Sequence, residues 1–347
     1  MQKKIPYMDG LRVMSIFLMI VLHVCGYGYR YYPVNSSTWL VLNFFMSITG
    51  VCIVMFVMIS GALMLDKEIT IKGMIKQRVV KLMMTFFIWS FLYACYEVVS
   101  GIILRGVAID TKLAETFISN LLIGRYHLWF LYMMAALYLI TPLLRLLTIK
   151  KDHFEYFLVL AFVFGSVWKL LALIPFLSNV LHSIGYMLHV DFVLGYSGVF
   201  MLGYYLHKYE LSENVKKCIH GFALLSVAIT FIGSSMISMH LHQVYMGLFA
   251  YTLPMYVCLA SSIFLLFKEH YGKISKGLQQ SVSWIAPYCF GIYLVHDFFN
   301  VIFRRFTVPW MEKATIAFVL GVSLLIFVLS FIVIYILKNT FKCKRAC

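Results

Sequence analysis

The chain has 347 residues, 62% apolar and only 12% charged, with a mean hydropathy of +0.89 and a formal net charge of +15. Soluble domains carry about 25% charged and about 45–50% apolar residues, and no core at this length buries such an excess while keeping a polar shell. The surplus must face lipid, which excludes a secreted disulfide scaffold, a disordered chain and a cytosolic enzyme and indicates a polytopic membrane protein.

A hydrocarbon core of about 30 Å needs about 20 apolar residues per helix. Ten such runs lie near residues 10–28, 39–65, 82–104, 127–147, 154–173, 191–207, 217–237, 245–267, 283–303 and 314–337. The first follows Lys3 and Lys4, carries Arg12 inside it and lacks a small-x-small cleavage site, so it reads as a span and not a signal peptide. The eight cysteines are scattered singly with no C-x-x-C pair, and read as small core residues, not as a metal site or a disulfide framework.

An ionisable group inside a span is expensive and is a functional candidate by default. The first span holds two, Arg12 and His23. The eleven-residue step between them, at about 100° and about 1.5 Å per residue, puts both on one helix face about 16 Å apart. Read structurally, Arg12 is a snorkelling anchor near the cytoplasmic end and His23 an interfacial or core histidine in the outer half. Asp9 reads as the N-cap of this helix.

The third span enters behind IKQRVVKL, with Arg78 and Lys81 one turn apart at its inner end. Alone they are orientation anchors; together with Arg12 they suit a polyphosphate. Glu97, in the outer half of the same span, needs a partner, and a histidine is the candidate. The segment around 105–126 is the longest loop. After it the fourth span opens with RYHLWFLYMMAALYL, placing His127 at the outer mouth, while Trp129 and Tyr132 fit an aromatic belt. The stretch 174–190 reads as an interfacial or re-entrant helix outside the main bundle, and His240 and His242 as loop residues. The ninth span contains YCFGIYLVHDFF and runs inside to outside. His296 then lies roughly 20 Å above its inner end, at a depth similar to that of His23, with Asp297 turned about 100° away. Three histidines from separate spans in the outer half, His23, His127 and His296, point together to function.

The basic residues sit in short segments between the apolar runs, as orientation in a bilayer requires, and do not signal nucleic acid. With the N-terminus in the cytoplasm, 20 of the 29 Lys and Arg fall in cytoplasmic segments, eight on the opposite side and Arg12 within a span. This bias places both termini inside, with an even number of spans. The sequence has no internal repeat and no loop long enough for a separate aqueous domain. The expected fold is therefore all-α, a polytopic transmembrane helix bundle of about ten spans forming a single domain over 1–347.

Six segments, in order, resemble the acyltransferase-3 family, integral-membrane O-acyltransferases that modify bacterial surface glycans. DGLR followed by MIVLH is similar to the family's basic residue, ten intervening residues and histidine, here Arg12 and His23. MFVMISGALML, with Phe56, Ser60 and Gly61, resembles its aromatic–Ser–Gly motif. KQRVVKL resembles its basic pair, with Lys81 where an arginine is usual. HLWFLYMMAALYLITPLL, GYSGVFMLGYYL and FGIYLVH resemble further family blocks.

The resemblance implies an acyl-CoA donor, most often acetyl-CoA, used from the cytoplasm with no permanently bound cofactor. The acceptor it implies is a hydroxyl of a surface polysaccharide or its lipid-linked precursor, at the plasma (inner) membrane of a bacterium. On this reading Arg12, Arg78, Lys81 and Ser60 bind the donor. His23 takes the proton of the attacking hydroxyl, with Arg12, Glu97 and His296 as further catalytic residues. His127, Trp129, Tyr132 and Tyr293 bind the acceptor, and His296, Tyr293 and His127 stabilise the oxyanion or hold the sugar. Direct transfer and a relay through an acyl-histidine both fit. The stand-alone domain favours a lipid-linked or growing polysaccharide. The competing class is a proton-coupled exporter of a glycan precursor, which buried Arg, His and Glu also suit; against it stands the lack of a repeated half or of matching Gly/Pro-broken spans.

Overall fold

The computed structural model describes residues 5–106, 108–189 and 191–340, and every regular element among them is helical. The first helix, α1 (Pro6–Tyr31), opens on a proline, which suits a first turn because it has no N–H to leave unpaired there. Ile5 occupies the N-cap position and Asp9 lies within the first turn, so the expected capping role of Asp9 is not the one it has. Ser36 caps α2 (Ser37–Thr49), its Oγ accepting from the Trp39 N–H at 3.1 Å, and α3 (Val51–Leu65) continues the span beyond Gly50.

A short α4 (Ile71–Met74) leads through a π turn at Ile75–Val79 into α5 (Val80–Arg105). The third span therefore runs Ile71–Leu104 and begins earlier than its hydropathy suggests. The segment expected as a long loop contains α6 (Thr111–Ile123), whose Leu113 N–H donates to the Asp110 carboxylate at 2.9 Å. Next come α7 (Trp129–Leu147), α8 (Lys151–Phe162), a second π turn at Val163–Val167 and α9 (Trp168–Leu171). The stretch near 174–190 forms α10 (Pro175–Leu188), which buries none of its residues and stands at 81° to the axis of α11 (Asp191–Lys208). The chain continues through α12 (Glu213–Leu241), α13 (Pro254–His270), α14 (Lys276–Ile285), α15 (Cys289–Thr307) and α16 (Thr315–Thr340). Among the described residues nine helical runs are long and apolar enough to cross a membrane, or ten if α10 and α11 count as one broken span.

The helices form two compact units, one of Met1–Asp66 and Leu147–Ile334, the other of Lys67–Leu146 and Tyr335–Cys347. At the centre of the first lies the Ser37–Leu65 span, 78% buried, against 22% for Thr315–Thr340. A helix apolar on every face is buried on every face, and α3 is that helix. It packs closely on α11: Gly61 abuts the Phe200 carbonyl and Gly203 the Met58 carbonyl, so a Cβ at either glycine would overlap backbone. Small residues are what let membrane helices come together, since lipid tails provide no hydrophobic drive for it. Polar bonds add to this. Asn43 of α2 donates to the hydroxyls of Ser234 and Ser235 on α12 at 2.9 and 2.8 Å. Beyond α11, Lys268 donates to the Leu206 and Tyr209 carbonyls and pairs with Glu210 at 2.8 Å, holding that carboxyl below the usual carboxylate range.

Candidate active site

Helix α1, packed against α2, α3, α13, α14 and α15, carries both Arg12 and His23. Arg12, in the N-terminal part, donates from Nη1 to Asp9 Oδ1 at 3.1 Å, and its side chain remains 36% exposed. His23, in the C-terminal half, is half-buried. Its ring stacks on that of His296 from α15, with centroids 5.2 Å apart and planes 24° from parallel. Near-equal depth and helix adjacency thus bring together two of the three histidines that stood out in the sequence.

His296 is fully buried, and its Nδ1 lies 2.6 Å from the Tyr293 carbonyl oxygen. A carbonyl only accepts, so Nδ1 carries a proton, and in the neutral imidazole Nε2 is then the acceptor nitrogen. A neutral ring in this tautomer has no further N–H to donate. The Tyr293 ring stacks on His296 at 6.2 Å.

The next residue along α15 is the one the sequence reading turned away from the site. Asp297 is fully buried, and Asn300 Nδ2 donates to its Oδ1 at 3.4 Å. Its signal in the sequence was a carboxylate and an amide, Asp297 and Asn300, one turn apart inside a span, a costly pairing in lipid. Three residues beyond His23, a Cβ built on Gly26 meets nothing within 4 Å. One turn beyond His23 the Arg304 guanidinium lies 4.6 Å over the ring of Tyr27. Ser60 is half-buried on α3, beside the tightly packed Gly61.

In the second unit Arg78 sits inside the π turn, half-buried, its Nε enclosed and without a hydrogen-bond partner among the described residues. Such turns recur at functional sites. Lys81, one turn on, is exposed. Glu97 pairs with Arg125 at 3.2 Å. His127 is not open at a mouth: it is 3% exposed, held edge-on to the rings of Tyr93 and Tyr126 at 5.2 and 5.4 Å. Trp129 and Tyr132 are exposed. The Tyr132 hydroxyl donates to the Leu122 carbonyl at 2.5 Å and its ring meets Phe86 at 4.4 Å, tying α7 to α6 and α5.

The acyltransferase-3 family model, an acyltransferase domain, matches residues 5–336 of the chain. No curated protein and no solved structure matches it. The match takes in the whole of α1 and of α15. The chain belongs to the acyltransferase-3 family and is a multi-pass membrane acyltransferase.

Proposed function

We propose that the protein moves an acyl group, most simply acetyl, from cytoplasmic acyl-CoA to a hydroxyl of a cell-surface polysaccharide or its lipid-linked precursor at a bacterial plasma membrane. The observation that carries this reading is the stacked pair of His23 and His296 at the level of open space beside Gly26. His23 takes the proton of the acceptor hydroxyl as its oxygen attacks the thioester carbonyl. The tetrahedral intermediate then expels the CoA thiolate, which recovers that proton, leaving an ester and free CoA. General-base help of this kind contributes about 10²–10⁴-fold, and holding both substrates in place adds to it.

Arg12, Arg78 and Lys81 are the cations proposed for the donor's phosphates, with Ser60 as a further donor contact. The enclosed Nε of Arg78 favours this assignment, because a guanidinium binds phosphate by paired, charge-assisted hydrogen bonds. Tyr293, Trp129, Tyr132 and His127 are proposed for the acceptor, and Glu97, fixed by Arg125, as a further catalytic residue. His296, stacked on His23, is proposed as a further catalytic residue.

The test uses purified protein in nanodiscs, radiolabelled acetyl-CoA and de-O-acetylated surface polysaccharide. Wild-type protein should transfer label to the glycan and release CoA. His23→Gln should lower transfer at least ~10²-fold with donor binding intact, since glutamine hydrogen-bonds but does not accept the proton. Near-normal transfer by folded His23→Gln protein would remove His23 from the chemistry.

A further inference from the structure

Asp297 is the one feature of this region that proton transfer by His23 leaves unused. It is fully buried, it adjoins the fully buried His296, and Asn300 holds one of its oxygens. The His296 ring stacks on that of His23, with centroids 5.2 Å apart. Those groups come from α1 and α15, which pack on each other. When an acceptor hydroxyl gives up its proton, one ring of the stacked pair becomes an imidazolium. Away from water a positive charge without a counter-charge is strongly disfavoured. A fixed carboxylate stabilises that charge as it develops and needs no solvent to reorganise.

We propose that Asp297 is a positioning residue for acyl transfer, its carboxylate balancing the positive charge that the His23–His296 pair takes up with the acceptor's proton, and Asn300 holding that carboxylate in place. The balance is simple: the hydroxyl proton goes to imidazole, the oxygen's electron pair forms the new ester bond, and the departing thiolate takes the proton back. The inference rests on the acyl-transfer reading given above.

Asp297→Asn keeps the size of the side chain and removes its charge. In the nanodisc assay kcat should fall at least tenfold while KM for acetyl-CoA stays within about twofold, because the donor is bound elsewhere. Added to His23→Gln, the same change should cost nothing more, since the carboxylate acts through the imidazole pair; a structural role would instead multiply the two losses. Asp297→Glu, which retains the charge, is the second variant and should recover most of kcat. Undiminished kcat in Asp297→Asn, a multiplied loss in the double variant, or an equal loss in Asp297→Glu would each overturn the proposal. A wild-type protein inactive with both substrates would overturn the acyl-transfer reading and this inference with it, whereas an active wild type beside an indifferent Asp297→Asn overturns this inference alone.

Discussion

Arg12 is held in the first span by a weak local pair and is proposed as a donor contact. Its pair with Asp9 spans a single turn on a side chain more than a third exposed, and exposed pairs of this kind contribute little to stability. Arg12→Ala should therefore leave the protein folded. What it removes is a cation proposed for the donor, and each charge-assisted contact to phosphate is worth on the order of 1.5–3 kcal/mol. Arg12→Ala and Arg78→Ala are each expected to raise KM for acyl-CoA by roughly ten- to a hundredfold, with the acceptor requirement unchanged. Titrating both substrates against each variant checks this; unaltered donor affinity in both would make these cations orientation anchors and nothing more. Arg78 has a further constraint, since its π turn sets the direction from which the guanidinium leaves the helix.

Among the elements, the contact of α3 with α11 governs the first unit. The aromatic–Ser–Gly motif reads in the sequence as part of the site, yet Gly61 meets the Phe200 carbonyl directly, so the motif's glycine is there for backbone approach. Gly61→Ala should cost about 1–3 kcal/mol by overpacking and lower the unfolding temperature in detergent. Gly221→Ala on α12, where a Cβ meets nothing within 4 Å, is the control and should leave it unchanged; equal effects of the two would mean that the α3–α11 contact is loose. The spans were legible because twenty apolar residues in a row have few other uses, and the shared face of Arg12 and His23 followed from helical periodicity alone. Other features were not. The π turn at Ile75–Val79 is hidden because one extra residue in a turn leaves the apolar pattern intact. The short, wholly unburied α6 carries no span-length signal. Asp297 is turned about 100° from His296, yet Tyr293, Leu294, Val295, His296 and Asp297 are all buried, so such a turn still points into protein. The pairing of Glu97 with Arg125 depends on how the start of α7 folds back to α5, which no local pattern encodes.

At the scale of the whole molecule the question is which way the bundle faces. Of the 28 Lys and Arg outside the first span, 20 fall on the side of Lys3 and Lys4 when successive spans alternate. Basic flanks resist transfer across the membrane, so the orientation expected from this bias has both ends in the cytoplasm. On the proposed function, that orientation would put Arg12 and Arg78 on the side of the proposed acyl-CoA donor and His23 and His296 toward the side of the proposed glycan acceptor. The alternation requires an even number of crossings, which the bundle meets only if α10 and α11 together make one broken span. A pair of reporters tests both points, one active only in the cytoplasm and the other only outside. Fused after Cys347, the cytoplasmic reporter should be active; fused within the segment joining α9 to α10, the outer one should be. Activity of the outer reporter at Cys347 would imply nine crossings, leave α10 and α11 on one side of the membrane, and reverse the assignment of donor and acceptor sides for every helix beyond them.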